Sequence, residues 1–191
     1  MDKFKKLLKD FSLFLSAFVP MFVLILVKLV IDMLNNNLSF NVLNSLNFST
    51  LLLLIASGIG GLIWNIKSNG SRHEIEIIER ENITDKHFLG YFSLFVLFAL
   101  QFDLSLVSGY CIFVLIMIFI GIVYIKNSLY YINPLLNILG YNFYDVKYTI
   151  VGSEQIREAK IFHKGNLEAN SRHFVNIKND NFTFINNKKK S

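Results

Sequence analysis

The chain has 191 residues, of which 53% are hydrophobic and only 17% are charged. Its mean hydropathy of +0.44 excludes an ordinary soluble domain of this length, and its single cysteine, Cys111, excludes an internal disulfide. The formal charge of +5 is compatible with nucleic-acid binding, but the positions of the basic residues favour a membrane protein that makes no direct contact with nucleic acid.

Four apolar stretches separate three basic segments of the chain. Of the 19 Lys and Arg residues, 18 lie within residues 3–9, 67–86 and 126–190. Basic residues that flank membrane helices are retained on the cytoplasmic side. The sequence therefore predicts an α-helical polytopic membrane protein with four transmembrane helices in the lipid bilayer, both termini inside, and a small cytoplasmic C-terminal β-rich domain.

The first predicted span covers residues 11–31 and contains Pro20, which removes a backbone donor and bends the helix. The four Lys residues before it resemble the start of a signal peptide. No small-residue cleavage site follows, so we expect the segment to remain as an uncleaved span.

Three charged residues are candidates for a cluster at the outer face: Lys28, Asp32 and Asp103. A pair of Lys28 with Asp103 would hold spans one and three together, whereas a pair with Asp32 would stay within span one. In the third alternative, Lys28 reaches the outer headgroups and both carboxylates lie in water. A formed cluster would be the outward-facing candidate for sensing or gating.

The second span ends at Trp64 and Lys67, an arrangement typical of a membrane interface. It carries small residues at two spacings of four, which let helix backbones approach closely; they are Ala56, Ser57, Gly60 and Gly61. This face packs either within the monomer or between subunits of a homo-oligomer. In both cases Gly60→Leu or Gly61→Leu is predicted to disrupt folding or assembly.

The inner loop and the next two spans follow. In loop 67–87 a short strand competes with a short helix, and the alternation of residues 73–79 favours the strand. The third apolar run, 88–102, is only about 22 Å long as a helix, so it must continue through Asp103 or thin the membrane. The fourth run, 107–125, is long enough alone, which predicts a close helical hairpin of spans three and four.

After Lys126 the sequence changes from a long apolar helix to shorter elements with a β pattern. Asn133 and Pro134 stop the helix, and Gly140 and Tyr141 mark the passage to β structure. Short candidate strands occupy residues 144–150, 159–163, 173–177 and 182–185. We therefore expect a transmembrane domain at residues 1–132, which includes the cytoplasmic loop 67–87, and a β-rich tail domain at residues 133–191. Because that tail is marginal as an independent core, it should lean on the inner loop, the membrane surface or another protomer.

Catalytic chemistry finds no support in the sequence. The four His residues lack metal-ligand spacing, and no nucleophile with an adjacent base or glycine-rich phosphate loop occurs. No charged residue lies at mid-membrane, as ion-coupled transporters usually require. We expect no enzyme activity, cofactor or metal, and interpret the histidines as surface or strand residues.

The segment YINPLLNILGYNFY at residues 131–144, placed between four spans and a small β tail, resembles the membrane component of the Kiwa anti-phage defence system. The resemblance implies a non-enzymatic homo-oligomer in the bacterial cytoplasmic (inner) membrane. Such a protein would sense infection there and scaffold a cytosolic DNA-binding partner subunit.

In this sequence the segments available to that partner are loop 67–87 and tail 133–191. The alternatives are an oligomeric pore-forming membrane effector and an accessory subunit of a transporter.

Overall fold

The computed structural model describes residues 2–35, 42–67, 71–101, 107–127, 129–179 and 182–186. Five helices, one 3-10 turn and five strands follow one another along the chain. They are α1 (Asp2–Asn35), α2 (Val42–Lys67), β1 (Ser71–Asn82), α3 (Thr84–Gln101), α4 (Val107–Lys126), the 3-10 turn (Leu129–Tyr131), α5 (Pro134–Ile138), β2 (Tyr141–Ile150), β3 (Ile156–Lys164), β4 (Arg172–Asn179) and β5 (Phe182–Asn186).

Three helices in the described residues are long and apolar enough to cross a membrane: Leu7–Asn35 of α1, Asn44–Lys67 of α2, and α4. The predicted third span corresponds to α3. This helix has 18 residues, or about 27 Å, and opens with the polar sequence Thr84, Asp85, Lys86. Because those polar residues occupy its first turn, α3 does not meet the same criterion, and length and composition support three spans of the four predicted.

Helix α1 lies at the centre of the helical part, and α2, α3 and α4 all pack on it. Aromatic contacts connect it to its neighbours: the ring of Phe18 lies 5.0 Å from that of Phe95 in α3, and Phe14 lies 5.5 Å from Tyr124 in α4. An apolar groove separates the described parts of α3 and α4. Both helices pack on α1, and the tight turn predicted between them lies outside the described residues.

The five strands form a closed barrel in the order β1-β2-β3-β5-β4. All neighbours are antiparallel except β3 and β5, which are parallel. A bulge after Ile77 allows the first half of β1 to pair with β4 and the second half with β2. This strand order is that of the five-stranded Greek-key barrel of the OB type, here with α3 and α4 inserted between its first two strands.

The predicted strand in loop 67–87 is therefore confirmed, and it is one of the five strands of the barrel, where it pairs with β2 and β4. Strand β1 alternates inward Ile75 and Ile77 with outward Glu74 and Glu76, the period of two that a half-buried strand requires. The inward residues join Tyr144, Val146 and other apolar side chains in a barrel core. The β-rich tail leans on the inner loop, which was one of the three expected supports.

Candidate functional site: the junction between the membrane helices and the barrel

Helix α5 is a short turn whose ends are fixed by the junction motif. Asn133 caps it, since its Oδ1 accepts a hydrogen bond from the backbone N of Leu136 at 3.3 Å. Pro134 occupies the first turn, where its fixed φ is favourable and no N–H is needed. Gly140 ends the segment with a φ of +82°, a left-handed conformation that glycine adopts without strain. The chain can therefore reverse and enter β2 at Tyr141.

Asn133 also connects this turn to the centre of the helical part. Its Nδ2 donates to Ser16 Oγ of α1 at 2.7 Å, and Ser16 Oγ donates to the carbonyl of Leu13 at 2.7 Å. Asn133 and Ser16 are both buried, with 1% and 0% of their surfaces exposed. Hydrogen bonds between buried groups are costly to break because no water replaces them. The pair therefore fixes the position of the junction on α1.

Helix α4 contacts the same junction from another side. The Tyr124 hydroxyl donates to the carbonyl of Ile132 at 3.2 Å, and its ring lies 5.8 Å from that of Tyr130. Both tyrosines are buried. A displacement of the end of α4 would therefore move the residues that precede Asn133.

The base of the barrel rests on these residues. Phe143 of β2 stacks on Tyr131, with ring centres 5.4 Å apart and planes 9° from parallel. Phe143 also contacts Phe162 of β3 at 4.8 Å, and its backbone N donates to Thr84 Oγ1 at 2.7 Å. Lys160 Nζ lies 4.1 Å from the centre of the Tyr131 ring, within the range of a cation–π contact. Phe143 and Phe162 thereby belong to the same hydrophobic cluster as α1.

The small residues of α2 divide into two faces. A Cβ built on Gly61 would lie 2.5 Å from Ser12 Cβ of α1, and one on Gly58 would lie 2.6 Å from Val19 Cγ2. Asn65 Nδ2 donates to Ser12 Oγ at 2.6 Å on this same face. Gly60 has nothing within 4 Å of such an atom.

Ala56, Ser57 and Gly60 are exposed, so only Gly61 of the four predicted residues packs within the monomer. Gly58 stands outside the two spacings of four that the sequence analysis relies on. Its spacing of three from Gly61 also places two residues on one helix face.

The predicted outer-face cluster is described in part. Lys28 Nζ donates to the carbonyl of Leu100 in the last turn of α3 at 2.9 Å. Carbonyls there have no partner within the helix, and a cation is favourable beside them. Lys28 thus joins α1 to α3, through a backbone carbonyl of α3 and not through a carboxylate. Asp32 is half-buried, and Asp103 lies outside the described residues.

The outer face of β1, β2 and β3 is acidic although the whole chain is basic. Six carboxylates lie on this acidic face: Glu74, Glu76, Glu79, Glu81, Asp145 and Glu158. Lys147 contacts Glu79 at 2.8 Å and Arg172 contacts Glu76 at 3.3 Å. The hydrogen bond and the negative charge of Glu79 raise the pKa of Lys147. Lys160 lies on the same face, opposite Asp145. Six carboxylates against these three cations leave the face with a net negative charge, which favours contact with basic surfaces.

One histidine, His163, lies in strand β3, in agreement with the predicted surface or strand placement, and its side chain is buried in the barrel. His163 is 3% exposed, and its Nδ1 has no hydrogen-bond partner among the described residues. The His173 ring lies 5.7 Å away. Burial and then the charge of His173 lower the pKa of His163, against an opposing hydrogen bond with the Asn166 backbone. No group of three His, Cys, Asp or Glu residues comes together as metal ligands in the described residues.

Acidification should therefore destabilise the barrel through His163. A folded-state pKa below the unfolded value of about 6.5 means that the unfolded chain binds more protons between those two values. Thermal stability of the detergent-purified protein should fall as pH decreases below about 6.5, and His163→Leu should reduce that dependence. Equal pH profiles for the variant and the wild type would contradict this assignment.

Comparison with known proteins adds a family assignment. Neither the curated proteins nor the solved structures gave a match. The sequence model of one family, described as anti-phage protein KwaA, matches residues 9–185, which include α2 to α4, the junction and the barrel up to but not including the last residue of β5. The predicted resemblance to the Kiwa membrane component is confirmed, and the chain belongs to the family of the anti-phage protein KwaA.

Proposed function

We propose that this anti-phage protein senses infection at the bacterial cytoplasmic membrane and scaffolds a cytosolic DNA-binding partner on its barrel. The observation that carries the proposal is the single hydrophobic cluster shared by α1, the junction and the barrel base. A packed cluster transmits displacement because close-packed interiors do not deform freely. A change in the membrane helices can thereby reach the surface that the partner contacts.

The pairing of strands supports four spans with the barrel in the cytoplasm. Strands β1 and β2 are hydrogen-bonded neighbours, yet α3 and α4 lie between them in the chain. The segment that joins β1 to β2 and contains α3 and α4 must therefore begin and end on one side of the membrane. If α4 crosses the membrane, α3 crosses it as well, and local thinning of the bilayer accommodates the short length of α3. The distribution of Lys and Arg favours the cytoplasm as that side.

The acidic face is the surface we propose for the partner. A DNA-binding protein carries a basic surface, and opposite potentials favour encounter and register. The exposed Ala56, Ser57 and Gly60 of α2 point away from α1 and support the further proposal of a homo-oligomer in the bilayer.

Charge reversal on the acidic face tests the scaffold. The double variant Glu79→Lys with Glu158→Lys should lower recovery of the DNA-binding Kiwa component with the tagged membrane protein at least about tenfold, because like charges then face each other. The control reverses Glu154 and Glu168, two exposed residues in the turns of the barrel, and should retain the partner. These point variants are preferable to deletion of residues 142–191, which would also remove Phe143 and Phe162 from the shared cluster.

Two results would count against the scaffold. Undiminished partner recovery from the Glu79/Glu158 variant, with normal elution on size exclusion, would remove the acidic face from the interface. Depolarisation of cells that express this chain alone, followed with a potential-sensitive dye, would favour a pore-forming effector.

A further inference from the structure

An apolar groove runs along α4 on the side away from α3. It is bounded by α1 and α4, with the outer half of α2 at one end, and it opens sideways. Of the residues in α4, only Phe113, Gly121 and Tyr124 are buried, so this helix touches α1 along one narrow stripe. Gly121 sits directly against the Phe14 ring, which brings the helices close at the floor of the groove.

The length of the groove suits an extended acyl chain. The groove follows α4 from Tyr110 to Lys126, a length of about 24 Å at ~1.5 Å per residue, and has a volume of about 660 Å³. A hydrocarbon chain, whose width is set by carbon contacts of about 4 Å, fits along this length.

The two ends of the groove differ in chemistry. Its lining is almost wholly apolar until it reaches Lys126, an exposed residue in the last turn of α4 on the barrel side. A lysine at the end of a membrane helix attracts anionic headgroups, since basic residues beside a membrane favour acidic lipids. Leu7 of α1 lines the same groove. An acyl chain along α4 would therefore place its headgroup beside a cation.

We propose that this groove binds one acyl chain of an anionic phospholipid from the barrel-side leaflet, with the phosphate beside Lys126. The inference rests on the membrane placement in the proposed function, but it does not require partner recruitment. The bound chain fills the flank that α4 leaves open against α1. Because Tyr124 contacts the carbonyl of Ile132, occupancy of the groove acts on the junction through the end of α4.

Photolabelling of the full-length protein in phosphatidylcholine vesicles tests the site. The probe is phosphatidylglycerol with a diazirine in its acyl chain, and the mass of the intact protein reports labelling. Ile118→Trp fills the groove and should reduce labelling roughly tenfold, the loss expected from about 1.4 kcal/mol. Leu115→Trp is the matched control, because Leu115 is equally exposed on α4 (52% against 54%) and lines neither described groove.

A second pair of variants tests the headgroup contact. Lys126→Gln should weaken the preference for phosphatidylglycerol over a phosphatidylcholine probe about fivefold. Lys67→Gln, at the corresponding end of α2, should leave that preference unchanged. Equal labelling of the two Trp variants, or equal preferences of the two Gln variants, would overturn the proposal.

A remaining outcome concerns a second copy of the chain. Disulfide-linked dimers of Ile118→Cys in a Cys111→Ser background, together with absent lipid label, would assign the groove to a neighbouring protomer and also overturn the proposal. All three readouts are independent of partner capture, so failure of the lipid site and failure of the scaffold can be distinguished.

Discussion

Gly61→Leu and Gly58→Leu should each abolish the close contact of α1 with α2, whereas Gly60→Leu should leave the monomer folded. A Cβ at Gly61 would overlap Ser12 Cβ, and one at Gly58 would also lie 3.0 Å from the backbone O of Leu15. Backbone of a packed helix cannot move aside without separating the two helices. We expect each variant to lose about 3 kcal/mol or more, a figure at the upper end for overpacking.

The measurement is thermal stability by fluorescence-detected size exclusion of the purified protein. A loss of that size corresponds to a decrease in Tm of roughly 6–12 °C for a chain of this length. Gly60→Leu is the matched control, since it adds the same side chain two residues from Gly58 and one from Gly61. Wild-type stability of Gly61→Leu would show that α2 does not approach α1 at this face.

The glycine variants also correct a prediction made from spacing. The sequence treats Gly60 and Gly61 alike, because spacings of four pair each of them with a small residue. The structure separates them: Gly61 faces α1, and Gly60 faces outward. Loss of oligomer without loss of monomer stability in Gly60→Leu would support a contact between protomers at the outward face.

Local sequence patterns predicted where the helices and strands lie, but not which elements contact each other in the fold. Alternation in β1 and the break at Asn133 and Pro134 are visible in a few neighbouring residues, and both elements lie where expected. The partner of Asn133 is Ser16, 117 residues away, and no spacing within either segment indicates that contact. The closure of the barrel by β1 likewise depends on a pairing with β4 across about 100 residues, set by packing and not by propensity.

The junction could be located from the sequence, but its chemistry could not. A helix stop followed by a turn is what Asn133 and Gly140 predict. That the Asn133 amide is buried against α1 follows from the tertiary packing of the aromatic residues around it, including Tyr130 and Phe143. The same limit applies to His163, because the run of residues 159–163 predicts a strand but not that the side chain of His163 lies inside the barrel.

Asn133→Leu should disconnect the barrel from the membrane helices. The substitution keeps the approximate volume but removes both the cap of α5 and the donor to Ser16 Oγ. A lost cap costs about 1 kcal/mol and a lost buried hydrogen bond about 1–3 kcal/mol, so we expect a total of about 2–4 kcal/mol. The matched control is Asn137→Leu in the same helix, because the Asn137 Oδ1 is buried without a partner among the described residues. That change should be neutral or stabilising.

Limited proteolysis distinguishes disconnection from general unfolding. In Asn133→Leu the chain should be cut faster between α4 and β2, while the membrane helices remain protected. A double-mutant cycle with Ser16→Ala measures the pair itself, and a coupling of about 0.5–3 kcal/mol is expected for residues in contact. Ser16→Ala alone should cost less, because Asn133 still caps α5. Additive effects of the two substitutions would mean that the 2.7 Å contact contributes nothing to the junction. In that case the connection between membrane and barrel would depend on the remaining contacts, among them the aromatic stack of Tyr131 and Phe143 and the hydrogen bond of Phe143 with Thr84.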